Sequence, residues 1–510
     1  MLVPFSVSDF LDRAEHVYGD RTGIVDEPQQ PAPSMDELTY RDVADLARRQ
    51  AARLDELGVG VGERVAIISH NSARLLISFF GVCGSGRVLV PINFRLSRDE
   101  VAYIVEHSGA RVLLVDPELV DPLAGLAVEK VLVLGEDEDL YAPPGAVPNH
   151  WEPDETAIAT INYTSGTTAR PKGVELTHRN LWVNAVTLGL HVATTDRDVY
   201  LHTLPLFHVN GWGMPFIAAG LGIPQVILRK VEGTEILERV ERHGVTLLCA
   251  APAVIASILD AARSWAGPIP GRDRVRIVVA GAPPPTTTIA RVEQELGWEF
   301  IQLYGLTETS PLLTINRSRS EWDGLTSERR AAKLGRAGSP ALGVRLRIDD
   351  EGEVLARSNG VLGGYWDRPD ETAAALRDGW FHTGDGGTVA GDGYLTISDR
   401  KKDVIITGGE NVSSIEVEDA LFSHPAVAEV AVIGVPSEKW GETIKALVVL
   451  APGCSADERE LIAWCKSRLA GYKAPTSVEL RDALSRTATG KLQKFKLRAP
   501  YWTDTQDVRR

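Results

Sequence analysis

The sequence predicts an α/β protein: a large N-terminal domain of stacked, mostly parallel sheets with covering helices, followed by a small α+β domain. Three observations carry this. Short apolar, β-rich runs alternate with amphipathic helical stretches from Arg64 to Ile397. The 510 residues exceed the roughly 250–300 at which a single hydrophobic core stops growing, so at least two domains are needed. The pattern then changes character just after the charged pentapeptide Asp399-Arg400-Lys401-Lys402-Asp403.

Within the first region, Arg64-Val-Ala-Ile-Ile-Ser69, Ala110-Arg-Val-Leu-Leu-Val115 and Val275-Arg-Ile-Val-Val-Ala280 read as strands, and Ile236 to His243 as a covering helix. Successive strands are separated by enough chain for crossover helices, which favours parallel pairing. The stretch from Leu201 to Leu228 carries no Asp, Glu, Lys or Arg, but Pro205, Pro215 and Pro224 break it, so it reads as buried core and no integral membrane segment is expected. Glu136 to Trp151, rich in proline and acids, reads as a surface connection. Beyond the pentapeptide, strands at Val427 to Ile433 and Thr443 to Val449 and a helix from Asp457 to Leu469 make a self-contained unit. The expected domains are residues 1–399 and 400–510.

Composition narrows the partners. Sixty-nine acids against 54 bases give a net charge of -15, which opposes general attraction to nucleic acid or anionic lipid. Cys83, Cys249, Cys454 and Cys465 are scattered singly, without zinc-site spacing, the usage of a reduced, cytoplasmic protein. The first twenty residues hold Asp9, Asp12, Arg13, Glu15 and Asp20 and lack a long apolar run, so no signal peptide is expected.

The most informative stretch is Tyr163-Thr-Ser-Gly-Thr-Thr-Ala-Arg-Pro-Lys-Gly173, following a strand-like run at Ala157 to Asn162 and preceding a helix expected near Thr177. Backbone N–H groups and hydroxyls of Thr164, Ser165, Gly166, Thr167 and Thr168 offer neutral donors to a phosphate, and Lys172 offers charge. Gly173 stands where a Walker A loop needs Ser or Thr, so a P-loop NTPase is disfavoured. By composition alone a polar surface turn is the better reading.

This loop resembles that of the adenylate-forming superfamily of acyl-CoA synthetases, luciferases and peptide-synthetase adenylation domains. Further matches follow in that family's order: Gly281-Ala-Pro283, Tyr304-Gly-Leu-Thr-Glu-Thr-Ser310, Trp380-Phe-His-Thr-Gly-Asp385, Ser398-Asp-Arg-Lys-Lys-Asp-Val404, Gly408-Gly-Glu-Asn411 and Arg486-Thr-Ala-Thr-Gly-Lys491. The resemblance implies ATP, Mg2+ and coenzyme A as co-substrates and cofactor. It places Tyr304 and Gly305 against adenine, with Gly281, Ala282 and Pro283 as the opposite wall. Asp385 would grip the ribose hydroxyls, since a carboxylate accepts two hydrogen bonds. Arg400 would reach ribose or phosphate. Glu308, with Thr307 beside it and Thr164 as a second contributor, would serve Mg2+ as a hard oxygen ligand. Lys491 would neutralise charge as pyrophosphate leaves. Many relatives have proline where this chain has Ser485.

The resemblance also sorts the substrates. Phe207-His-Val-Asn-Gly-Trp212 resembles the acyl-pocket motif, with His208, Val209, Gly211 and Trp212 beside the acyl group and Trp212 as its gate. Amino-acid-activating relatives have an aspartate at the position of His208, so a neutral, apolar acid of unspecified size is expected, with Leu306, Leu312 and Leu313 nearby. Gly408 and Gly409 would let pantetheine pass close to backbone, Trp440 would stack on the coenzyme's adenine, and Lys473 would meet its phosphates. The small domain would be mobile, hinged at Lys402. A homodimer is left open, as are the identity of the acid and two other functions: loading of a carrier protein, and nucleotide binding without turnover. An insertion that marks carrier-loading relatives is not evident, and neither Lys491 nor Glu308 is missing.

Overall fold

The computed structural model describes residues 2–136, 140–164, 170–282, 284–400, 403–407, 410–437, 439–486 and 492–502. Among them the strands form four sheets. A nine-stranded sheet runs in the order 339–340, 312–317, 299–305, 276–279, 247–250, 200–202, 225–227, 22–25, 37–39, parallel from Glu299–Gly305 through to Thr22–Val25 and antiparallel at both edges. A seven-stranded sheet has the order 364–365, 172–177, 158–164, 88–92, 64–68, 112–115, 130–133, antiparallel only across its first three strands. The expected strands at 64–69, 110–115 and 275–280 and the helix Gly233–His243 are in place.

The helices between strands follow local rules. His178–His191 starts where Thr177 and Asn180 close a reciprocal capping box. Ala73–Gly81 is buried throughout and apolar but for Arg74 and Ser78, which bond to the Pro33 and Arg74 carbonyls. One continuous core takes side chains from both large sheets, with Phe216 at ring-centroid distances of 5.8–6.0 Å from Phe10, Phe79 and Phe80. The charge-free stretch from Leu201 to Leu228 is divided among two short strands and the helix Met214–Gly220, all buried. No helix among the described residues is long and apolar enough to cross a membrane.

Two features differ from the sequence expectation. The chain after the Tyr163 loop returns as a strand, Lys172–Thr177, antiparallel to Ile158–Thr164, before the helix begins. The strands 345–348, 353–357, 381–389 and 395–400 form a separate four-stranded sheet that is antiparallel throughout. Its outer pairs are joined by the short segments 349–352 and 390–394, too short for a crossover.

The last sheet carries Ile405–Thr407, Glu410–Val412, Val427–Ser437, Gly441–Leu450 and Ser477–Leu480, with helices Ser414–Phe422 and Glu458–Lys466 over its own core. It touches the rest of the molecule where Asp419 accepts a hydrogen bond from the Thr286 backbone N–H at 3.1 Å. That N–H opens the helix Thr286–Arg291, where a carboxylate is electrostatically favoured.

Two fully buried imidazoles make this fold acid-sensitive. Burial pushes His178 and His202 down to about 4, and each has one ring nitrogen without a partner among the described residues. Their folded values lie below the free value near 6.5, so the unfolded chain binds more protons between those limits. Stability is fully present above about pH 6.5 and falls by on the order of 3 kcal/mol per histidine as pH drops through that window. Urea-unfolding midpoints at pH 7.5 and 5.0 should show the loss, and His202→Asn should reduce it. An unchanged pH slope in that variant contradicts the assignment.

Candidate active site

The carboxyl ends of the parallel strands from both large sheets converge, and polar side chains fix them there. Asn71, after Arg64–Ile68, donates to the carbonyls of His202 and Leu204 at 3.1 and 2.8 Å and accepts from Leu206 N–H at 2.9 Å. Asp116, after Val112–Val115, holds Arg229, after Gln225–Ile227, through two bonds of 2.8 Å. Asn162 donates to the Phe207 carbonyl at 3.3 Å and to Asn210 Oδ1 at 3.1 Å, while Asn210 donates to Thr160 at 2.9 Å. A crevice at the carboxyl ends of α/β sheets is where such folds bind ligands.

Tyr304 ends the strand Glu299–Gly305, beside the end of Arg276–Val279 that leads to Gly281 and Ala282. A Cβ on Gly305 would lie 1.4 Å from the Pro311 carbonyl oxygen, so only glycine permits this turn. The Tyr304 hydroxyl donates to Asp385 Oδ2 at 2.9 Å. Asp385 lies in Phe381–Val389, paired with Arg400 in register, and is 7% exposed. A bulge raises it: two steps along the partner strand, from Glu353 to Leu355, face four along this one, from Gly386 to His382. Gly384 takes φ +73° there, and Asp385 N–H donates to the Thr383 hydroxyl at 3.1 Å.

Glu308 sits in the turn Thr307–Thr309, which packs against Lys172–Thr177. Tyr365 donates to its Oε1 at 3.0 Å, and burial, aided by the Glu308 charge, raises the phenol so that it stays a donor. Lys172 Nζ lies 5.2 Å from the centroid of the Tyr365 ring. Thr164 and Lys172 are register partners at the neck of the loop. A half-exposed carboxylate with one oxygen held by a hydroxyl, next to a threonine and an ammonium, suits Mg2+ and polyphosphate. Ser165, Gly166, Thr167, Thr168, Pro283, Lys402, Gly408, Gly409 and Lys491 lie outside the described residues, as does the Arg400 side chain.

On the acyl side, Val209, Asn210, Gly211 and Trp212 all have positive φ, between 36° and 58°. Non-glycine residues in that region cost on the order of 1–3 kcal/mol each and persist only where surroundings enforce them. The Asn210 bonds enforce this turn, and Asn184 adds to them by donating to the Trp212 carbonyl at 3.2 Å while accepting from Leu312 N–H at 3.2 Å. Trp212 is 4% exposed and packs in the core with Leu312 and Leu313, with Leu306 against its edge. His208 is partly exposed.

The coenzyme-side residues are less concentrated. Trp440 is 49% exposed with Lys439 Nζ over its ring at 4.6 Å, and Lys473 is held by Glu416 at 2.7 Å. Ser485, in the place of the usual proline, is tied to Gln493: its hydroxyl donates to Gln493 Oε1 at 3.1 Å and its carbonyl accepts from Gln493 N–H at 2.9 Å. The sequence reading did not assign Tyr365, Asn184, Asn162 or Asn210. An aromatic after the glycine pair 363–364 and an asparagine before Gly211 in an apolar run were the available signals.

The sequence model of the family described as AMP-binding enzyme matches residues 11–366, and that of the AMP-binding enzyme C-terminal domain matches residues 416–491. The chain is 37% identical to 4-hydroxybutyrate–CoA ligase 2 of Metallosphaera sedula, over 96% of this chain and 93% of that protein. It is 35% identical to 2-methylpropanoate–CoA ligase CCL4 of Humulus lupulus, over 97% and 95%. Among solved structures it is similar to the anthranilate CoA ligase AuaEII in complex with anthranoyl-AMP, with TM-score 0.87, 28% identity and 98% of each chain covered. The o-succinylbenzoate CoA synthetase of Bacillus subtilis, in complex with ATP and a magnesium ion, gives TM-score 0.81 and 29% identity over 96% of this chain and 99% of that one. With family models matching residues 11–366 and 416–491 and relatives at 35–37% identity over nearly the whole chain, the chain belongs to the AMP-binding enzyme family, in its acyl-CoA synthetase branch.

Proposed function

We infer that the protein is an AMP-forming acid–CoA ligase acting on a short, neutral aliphatic acid. The observation that carries the nucleotide part is the Tyr304–Asp385 pair at 2.9 Å, a ring to stack on adenine joined to a carboxylate for the ribose. Glu308 and Thr164 would hold Mg2+, which supplies charge neutralisation on the phosphates. Lys172 and the hydroxyls of the Tyr163 loop bind the same phosphates. A carboxylate oxygen of the acid attacks the α-phosphorus, the bond to pyrophosphate breaks, and Lys491 offsets the charge on the departing oxygens. The thiolate of coenzyme A then attacks the acyl carbon, and AMP leaves.

The class of acid follows from the pocket and the relatives. No carboxylate stands at His208 to pair with an ammonium, and Trp212 fills core space where a long chain would lie. Two relatives are named for acids with four backbone or branched carbons, 4-hydroxybutyrate and 2-methylpropanoate. Residues 1–399 and 400–510 act as two bodies hinged at Lys402, because Lys491 and the Gly408–Gly409 segment must serve one acyl carbon in turn. The four free cysteines fit a cytoplasmic enzyme.

The test supplies acid with ATP, and separately synthetic acyl-adenylate with coenzyme A. The wild type should release pyrophosphate without coenzyme A and form acyl-CoA only with it. Lys491→Ala should lose the first half-reaction by about 100-fold or more and keep the second, and Lys402→Pro should show the reverse. A carrier-protein loader would release pyrophosphate and leave coenzyme A unacylated, and a protein without turnover would do neither. Equal loss of both half-reactions in both variants overturns the hinge.

Trp212→Ala should shift the ranking of acids toward longer chains, by about 1–3 kcal/mol in relative specificity. The same ranking at uniformly lower activity would make Trp212 packing alone.

A further inference from the structure

The bulge that presents Asp385 is held by a residue outside the motifs. Glu353, in the neighbouring strand Glu353–Arg357, is buried, and its two oxygens divide their work. Oε1 accepts from the Gly384 backbone N–H at 2.8 Å, and Oε2 meets His382 Nδ1 at 3.3 Å. These residues precede Asp385 by one and three positions and lie where the strand pairing loses register. Between them, Thr383 donates to the Val354 carbonyl at 2.7 Å. Glu353 is itself fixed, since its backbone N–H donates to Asp349 Oδ1 at 2.7 Å.

We propose that Glu353, with His382, is a positioning residue for the nucleotide's ribose: it locks the bulge so that the Asp385 carboxylate faces the hydroxyls. An unlocked bulge would let the segment carrying Gly384 relax toward ordinary pairing with the Glu353 strand, which turns Asp385 away from where Tyr304 holds it. A buried carboxylate is costly to desolvate and is retained where its hydrogen bonds fix a geometry. The neutral amide of a glutamine keeps the size of the side chain but removes the charge, so its bond to Gly384 is no longer charge-assisted and its bond to His382 requires the other ring tautomer.

The proposal rests on Asp385 binding the ribose, and the experiment separates the two claims. Initial rates of pyrophosphate release are measured with ATP and with 2′-deoxy-ATP for the wild type, Glu353→Gln and His382→Ala, alongside thermal unfolding. The wild type should prefer ATP by about tenfold or more in kcat/KM, because one acceptor of a buried carboxylate is left unpaired by the deoxy sugar. Glu353→Gln should keep its fold and lose most of that preference, through a raised KM for ATP. His382→Ala, which leaves the Gly384 bond intact, should lose a smaller part, and it decides the matter if Glu353→Gln does not fold. A wild type indifferent to the 2′-hydroxyl overturns the ribose reading of Asp385 and this proposal with it. A discriminating wild type whose folded variants lose activity equally on both nucleotides, with the ratio unchanged, overturns the positioning role alone.

Discussion

The hydrogen bond from Tyr304 to Asp385 joins two sheets at the site, where a backbone bridge between Gly338 and Leu395 also ties them together. Tyr304 closes a parallel strand of the nine-stranded sheet, and Asp385 rides on a bulge of the small antiparallel one. With that bond in place, the ring and the carboxylate present one edge to the crevice. The remaining groups are arranged around it by backbone geometry. Gly305 permits the turn that brings Glu308 back against Lys172–Thr177, and Tyr365 pins Glu308 there. The described part of the site is thus assembled from strand ends, a bulge and a tight turn, elements stiff enough to hold reacting groups in place.

The acyl side is built by another device. Five consecutive residues with positive φ, Val209 to Gly213, are an expensive conformation, and the structure offsets the cost with amide side chains that bond to one another and to backbone. Asn162 belongs to the strand that enters the phosphate loop, and Asn210 to the acyl turn. A single amide pair therefore couples the turn at Val209–Gly213 to the strand Ile158–Thr164. The crossing charge pair Arg229–Asp116, both nearly fully buried, keeps the two large sheets from sliding past each other beside it. A buried pair of this quality is better read as setting geometry than as adding net stability.

Much of this was legible in the sequence, because the motifs keep their order and each contains the residue type its chemistry needs. Apolar runs such as Arg64–Ile68 have the period and flanks of buried parallel strands, so they were readable locally. Lys172–Thr177 was not, because glycine and a charged lysine in its first positions resemble the loop before it, and its strand character comes from pairing with Ile158–Thr164. The bulge at Asp385 depends on Glu353, far back in the chain, and the acyl turn depends on Asn162 and Asn184. Sequence spacing carries no information about such partners; only the folded pairing does. Residues such as Ser485 show the complementary case, where a departure from a familiar pattern is offset by a hydrogen bond to Gln493.

The central claim is that the carboxylate at the end of the Tyr304 bond anchors the nucleotide. The most direct measurement is the Michaelis constants for ATP and for the acid in Asp385→Ala. The account predicts a KM for ATP raised by about tenfold or more, the cost of losing hydrogen bonds to a charged acceptor, with the KM for the acid close to that of the wild type. An unchanged KM for ATP with near-normal turnover would contradict it.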